Sequence, residues 1–388
     1  MASCVDHYLA MRNIASLISD KELPCIPNLG LKDFKSLSLK SEGVSGDVLA
    51  AADLQIEELR LPVVIKFFRI PCSYKTFSRG NRTIVRRVKV EDKNQYEIGT
   101  SLLLTTEILM NPRHLTPHIT FCFIGGECHT AYQTVKSMCN SKAVIEDNNY
   151  LVPQDCDDKL NIYPQCRFRT DYNRGNLSDR INYLLVEHLD GDLEVWIKDE
   201  LSQIKEYKLS IEEFNYKIIA ILIMIAYTLY VLDNYLDGFV HGDLGPRNVL
   251  YLRTNDYNNI WRYNLAFDNG ANYQYNLRSV GISPKLWDFS TTYTGLIDHD
   301  YYNYIPNPEQ REPSKVKQDV TILFNKIKNI IEEEKIPVPD IINYVLNNSH
   351  DDMTNTEICT MLLTHPFILD NFTEMLDGDI VCQYFSYP

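Results

Sequence analysis

The sequence predicts an α+β chain in two lobes, a small β-rich lobe with one main helix followed by a larger, mostly helical one. Three observations carry that expectation. At 388 residues the chain exceeds one ordinary domain and can bury a large core. Its first half is patterned as strands and turns around an apolar, β-branched run, Leu61-Pro-Val-Val-Ile-Lys66-Phe-Phe. Its second half opens on a helical pattern, Ile211–Tyr235, that turns wholly apolar over Ile218–Leu232. The expected boundaries are a leader over 1–37, the small lobe with an insertion over 38–186, and the large lobe over 187–388.

Composition narrows the function classes. Apolar content of 45% and charged content of 23% are ordinary for a globular chain. A formal charge of −14 argues against nucleic-acid binding, because a phosphate backbone would be repelled. One local exception, Arg79, Arg82, Arg86, Arg87 and Lys89, reads as a solvated connection that an acidic substrate or headgroup could use. The ten cysteines are scattered, with no CxxC or Cys/His pair at zinc spacing, which suits reduced thiols in the cytoplasm. No basic region followed by an apolar core opens the chain, so no secretory signal is expected. The run Ile218–Leu232, 15 residues long, is short for a bilayer, so no membrane span is expected and a buried core helix is.

Taken in order, the leader reads as a helix over Tyr8–Ile18 and a linker through Pro24 and Pro27. Between strands, Ser41-Glu-Gly43-Val-Ser-Gly46-Asp-Val48 brings two glycines whose bare Cα lets backbone amides approach phosphate oxygens. Alone, that spacing marks only a hairpin. Lys66 follows in an apolar strand, a costly place for a cation unless it is paired or snorkels from a sheet edge. A helix over Asn94–Met110 offers two partners, Glu97 and Glu107. Glu97 shares a helical face with Leu104 and Ile108 and is preferred, with Glu107 as a solvated carboxylate. Residues 135–180, rich in Asn, Asp and Pro, read as an insertion.

Tyr183-Leu-Leu-Val186-Glu187-His-Leu189 is then a strand running into extended backbone, and Gly191-Asp192 caps the helix that starts at Leu193. Gly238 ends the long helix and delivers the chain to His241-Gly-Asp243-Leu-Gly-Pro-Arg-Asn248-Val-Leu250. An Asp five residues before an Asn, on a loop opening into an apolar strand, suits holding a hydroxyl and a metal beside a triphosphate. Asp288, in Trp287-Asp-Phe-Ser290, follows an apolar strand on a tight turn where it would bridge metal to phosphate. Between them lies a Tyr- and Asn-rich segment, Tyr257 to Asn276, whose alternating aromatics predict an extended hairpin. Lys315–Phe324 opens a further helix containing Asp319, and Pro337–Pro388 reads as closing helices.

Together these strings resemble the catalytic loop and metal loop of the protein-kinase superfamily, over roughly residues 38–330. Within it, the chain is similar to the divergent serine/threonine protein kinases of large DNA viruses. That narrower likeness rests on His-x-Asp-Leu-x-x-x-Asn-Val-Leu, the Tyr-rich insertion, Thr116-Pro117-His118, and Gln318-Asp319-Val320. The resemblance implies a two-lobed kinase fold and an ATP- and magnesium-dependent protein kinase (manganese as an alternative ion). It implies a protein substrate with serine or threonine as the default acceptor, and the host cytoplasm or virion as location. Carried over residue by residue, Gly43, Gly46 and Val48 would cover the nucleotide. Lys66 would hold the α and β phosphates, and Glu97 would hold Lys66. Val186 would be the gatekeeper, Glu187 and Leu189 would meet adenine, and Asp192 would bond the ribose. Asp243 would be the catalytic base, Asn248 the second-metal ligand, and Asp288 the principal metal ligand. Asp319 would bond the catalytic-loop backbone.

Three departures stand out. Gly242 occupies the place of the usual Arg, so no cation there reads an activation-loop phosphate. Gly245 replaces the Lys that commonly contacts the transferring phosphate, with Arg247 as a candidate substitute. No Ala-Pro-Glu is present. These keep two rivals open. One is a small-molecule kinase of the aminoglycoside or choline type, against which stands Asp288-Phe289 rather than Asp-Trp. The other is a pseudokinase scaffold, against which stands the retention of Lys66, Asp243, Asn248 and Asp288.

Overall fold

The computed structural model describes residues 9–15, 34–42, 48–56, 59–68, 72–79, 82–89, 94–128, 181–236, 238–255, 259–267, 269–296, 319–374, 376 and 379–386. Helix and strand are mixed, and the chain divides into two compact units. The smaller comprises Ile14–Leu102 and Phe121–His188, the larger Met1–Asn13, Leu103–Thr120 and Leu189–Pro388.

In the smaller unit, β-branched runs set the frame. Strands β1 (Phe34–Glu42), β2 (Val48–Ile56) and β3 (Leu59–Phe68) are followed by the hairpin β4 (Cys72–Arg79) and β5 (Arg82–Lys89), which carries the basic cluster. Helix α2 (Asn94–Leu104; α1 is the helical stretch 9–15) precedes β6 (Cys122–Cys128) and β7 (Ile181–Glu187). The main sheet is antiparallel in the order β1-β2-β3-β7-β6. Strand β3 is therefore central. Val63 and Ile65 on one face and Phe68 on the other are fully buried. Lys66 sits level with Leu49 on β2 and Leu184 on β7, so it cannot snorkel from an edge. The helix expected over Asn94–Met110 is α-helical only to Leu104 and widens to a π turn over Thr105–Leu109. Thr106 Oγ donates to the Leu103 carbonyl there, the competition with the ladder that hydroxyl residues bring to helices.

The larger unit is built around helix α4 (Ile211–Tyr235), which follows α3 (Leu193–Lys205). Ser210 caps α4 by accepting the Glu213 amide, and Gly238, at φ +98°, turns its amide back to the Asp233 carbonyl at 2.9 Å. At 25 residues α4 is longer than its apolar core, and by length and composition alone it could cross a membrane. Within the chain, 83% of its most apolar stretch is buried, as in a core helix. Helices α5 (Asp319–Glu333), α6 (Asp340–Asn348), α7 (Asn355–Leu363) and α8 (Pro366–Phe372) follow. Thr354 and Glu357 form a reciprocal capping box at the start of α7.

Among the described residues, three small sheets complete this unit. β8 (Gly191–Asp192), β10 (Val249–Arg253) and β13 (Ile282–Leu286) order as β13-β10-β8, and β9 (Phe239–Val240) pairs β14 (Tyr293–Thr294). The Tyr-rich segment forms a hairpin, β11 (Ile260–Ala266) with β12 (Asn272–Arg278). Its Trp261, Tyr263 and Tyr275 are fully buried, so the aromatics are core rather than surface. The closing residues are not all helical. Ile380–Ser386 forms β15, parallel to β11. Its alternation explains why: Cys382, Tyr384 and Ser386 are buried while Gln383 is exposed, a period of two that suits a half-buried strand. Gly43, Gly46, the 135–180 insertion and residues 297–318 lie outside the described residues.

Candidate active site

In the smaller unit, Lys66 Nζ donates to Glu97 Oε1 at 2.7 Å, with side-chain exposures of only 8% and 2%. The strand's period places Phe68 on the same face as Lys66, and its ring centroid lies 4.9 Å from the ammonium. Glu97 comes from the first turn of α2, whereas Glu107 is exposed on the π turn. The Glu97 charge is felt nearby: burial, and then Glu97, pushes the Cys122 thiol well up from its ordinary value. Val48 opens β2 opposite Glu42, so β1 and β2 flank the glycine segment.

At the end of β7, Val186 is buried between Val64 and Cys122 on the neighbouring strands. Glu187 is 2% exposed. Its carboxylate accepts the Phe121 amide at 2.8 Å, and its own amide donates to the Phe121 carbonyl at 3.0 Å. Its side chain and amide are thus committed to the sheet. In the larger unit, Leu189 is 9% exposed, and Asp192 caps α3 by accepting the Val195 amide at 2.9 Å.

The remaining expected residues gather in the larger unit. Pairing of Val249 with Leu286 brings the residues flanking this rung level, and the Trp287 amide donates to the Asn248 carbonyl at 3.0 Å. Asp288 falls one residue beyond that bond, at φ 62°, ψ 70°. A left-handed Asp is uncommon, costs about 1–2 kcal/mol in an L residue, and concentrates at functional turns. Asn248 Nδ2 donates to the Asp243 carbonyl at 2.7 Å and to Asp243 Oδ2 at 3.2 Å. The amide nitrogen being so engaged, Asn248 Oδ1 is the end left to ligate.

The loop backbone is clamped from below. Asp319, fully buried at the start of α5, accepts the His241 amide at 2.6 Å and the Gly242 amide at 2.9 Å. Asn355 donates to the same carboxylate at 3.1 Å. Burial raises the Asp319 pKa, against the opposing pull of His241 and of these donors. His241 Nε2 lies 2.9 Å from the Trp287 carbonyl, which can only accept, so that nitrogen carries the proton. Thr291 and Thr292 hydroxyls donate to the His241 carbonyl at 3.1 and 3.3 Å. The segments His241–Asn248 and Trp287–Thr292 are in this way tied to one another and to α5.

Arg247 does not compensate for Gly245. It forms a two-pronged pair with Glu194, at 2.6 and 3.2 Å, whose hydrogen bonds hold the Glu194 carboxyl down at about 2. Among the described residues, the cation beside Asp243 is instead Lys326, with Nζ 3.9 Å from Asp243 Oδ1. Sequence reasoning missed Lys326, Glu194 and Asn355. Lys326 had a signal: it lies seven residues after Asp319 (319 to 326), on the same helical face as the residue expected to hold the loop.

Among the described residues no three His, Cys, Asp or Glu side chains cluster as a metal site of their own. A magnesium ion shared with phosphates needs only one or two protein ligands, and the Asn248 amide oxygen and Asp288 carboxylate are hard donors of that kind. The larger unit thus offers an exposed carboxylate able to accept a hydroxyl's hydrogen bond, beside a loop of hard oxygens.

No family model matches the chain, and no curated protein matches it. Among solved structures it is similar to a kinase domain from Plasmodium, at 15% identity and a TM-score of 0.32, over 69% of this chain and 53% of that one. The chain therefore spans about half the length of that neighbour.

Proposed function

We propose that the chain is an ATP-dependent protein kinase that passes the γ-phosphate to a protein hydroxyl, with serine or threonine as acceptor. The observation that carries this reading is the clamped loop, in which Asp319 holds the His241 and Gly242 amides while Asn248 bonds Asp243. A clamp of that kind fixes a carboxylate and an amide oxygen relative to one another, and phosphoryl transfer is mostly positioning and charge neutralisation.

In this reading Asp243 accepts the hydrogen bond of the acceptor hydroxyl and orients it for in-line attack. Asn248 and Asp288 would hold magnesium, whose charge offsets that of the phosphates. Lys66, fixed by Glu97, would hold the α and β phosphates. Backbone around Gly43 and Gly46, with Val48, would cover the nucleotide, Leu189 would meet adenine and Asp192 the ribose. Host cytoplasm or virion remains the proposed location.

The test is incubation of the full chain with labelled ATP and magnesium against a generic basic protein and a panel of small alcohols, beside Asp288→Asn. Label in the protein, lost in the variant, is expected. Label only in an alcohol would favour a small-molecule kinase. Nucleotide binding without any transfer would favour a scaffold.

A further inference from the structure

We infer that Lys326 supplies, from helix α5, the cation that meets the transferring phosphoryl group, in place of a side chain at Gly245. This rests on the phosphoryl-transfer reading above. Lys326 Nζ lies 3.9 Å from Asp243 Oδ1. A hydroxyl bonded to Asp243 has the transferring phosphorus within bond-forming reach of the same oxygen, so an ammonium at that distance from Asp243 can contact the equatorial oxygens.

The glycine gives the second observation. Gly245 is extended, at φ −140°, ψ 167°, a conformation any residue adopts, so backbone geometry does not demand glycine. Space does. A Cβ there would lie 2.6 Å from Lys326 Nζ, 3.1 Å from Cδ and 3.4 Å from Cε, because the lysine lies directly across the bare backbone. As an ion pair the contact contributes little to stability, since the two side chains are 49% and 62% exposed. Its placement is accounted for by what it faces. Helix α5 holds the loop at one point through Asp319 and delivers Lys326 two turns later on the same face.

In the step itself the bond between the acceptor oxygen and the γ-phosphorus forms, and the bond from that phosphorus to the β–γ bridging oxygen breaks. ADP leaves and the hydroxyl proton passes to Asp243. Lys326 stays protonated throughout and offsets charge on the transferring group.

The experiment compares Lys326→Met, Lys326→Arg and the double variant Lys326→Met/Gly245→Lys in the full chain, using ATP, magnesium and a generic basic protein. Lys326→Met should lose kcat at least about tenfold with KM for ATP little changed, because the cation acts on the transferring group. Lys326→Arg should stay within a few-fold of wild type, and Gly245→Lys should restore most of the loss. Wild-type kcat in Lys326→Met would overturn the inference, as would equal impairment of Met and Arg, or a double variant no faster than Lys326→Met. A wild-type chain inert toward every acceptor would overturn the kinase reading, and this inference with it.

Discussion

Lys66 and Glu97 form a 2.7 Å ion pair inside the smaller unit, on the central strand of its sheet and the first turn of its helix. Taking two charges out of water costs free energy that mutual attraction recovers only in part. An apolar pair of similar volume would fill the same place at least as well, so stability does not explain the charges. In the proposed function, a lysine fixed and turned by a glutamate is what the nucleotide phosphates would need.

The energetics of that pair can be separated from its chemistry. Lys66→Met strands the Glu97 carboxylate in a buried site and should destabilise the smaller unit by about 3–5 kcal/mol. Glu97→Leu should do the same to Lys66. The double variant should cost clearly less than the sum, with a coupling of roughly 1–3 kcal/mol in a denaturant-melt cycle. Additive losses would show that the two side chains do not share their energy. It follows that Lys66→Ala mixes unfolding with lost chemistry, and Asp288→Asn is the cleaner probe of transfer.

What the sequence revealed, it revealed through period and punctuation. The β3 run, the long helix with its Gly238 stop, and the aromatic hairpin are local patterns that tertiary packing did not override. The Glu97 position followed from a helical face, and that of Asp319 from the resemblance alone. The strand β15 was hidden because its partner β11 lies far away in sequence, and a short apolar stretch after three helices looks like a fourth. The partners of Glu187 were hidden for a different reason. A strand running into extended backbone does not reveal what its last residue bonds, and only the fold shows that Phe121 occupies the Glu187 amide and carboxylate. Arg247 misled likewise, since Glu194 sits 53 positions away.

The likeness carried by Thr116-Pro117-His118 and by the Tyr-rich insertion turns out to be one physical unit. His118 is 1% exposed, with Nδ1 2.9 Å from the Pro284 carbonyl and Nε2 2.7 Å from the Tyr263 hydroxyl. The carbonyl can only accept, so Nδ1 carries the proton and Nε2 accepts from tyrosine. Burial, then the nearby Lys285 charge, lowers the His118 pKa from 6.5 to about 3. A histidine so depressed is neutral in the folded chain and still titrates near its ordinary value when unfolded. The unfolded state therefore binds more protons between those two values, and folding weakens as pH falls through that window. The larger unit should lose stability from about pH 6.5 downward, by up to roughly 1.4 kcal/mol per pH unit from this group. Thermal melts at pH 7.5, 6.5 and 5.5 should show the decline in wild type and a shallower one in His118→Asn. Parallel pH profiles for the two proteins would remove His118 from the account.

Gly242 provides the sharpest contrast with Gly245, three positions on. Its φ of +81° lies where side chains are rarely tolerated, and a Cβ would meet the Thr291 carbonyl oxygen at 2.5 Å. That oxygen belongs to backbone and cannot swing aside as a lysine tip can. An Arg at this position is therefore excluded by the turn itself: the same turn presents the Gly242 amide to Asp319. Gly242→Ala should cost about 1–3 kcal/mol through strain and the displaced Thr291 segment, and transfer should fall with it because the Asp243 carboxylate moves. Gly245→Ala, by contrast, need only push aside the end of Lys326 and should leave stability within about 0.5 kcal/mol of wild type. Denaturant melts of the two single variants decide the matter. If Gly242→Ala were as stable as Gly245→Ala, the positive-φ turn and its seat against Thr291 would not be what holds the loop.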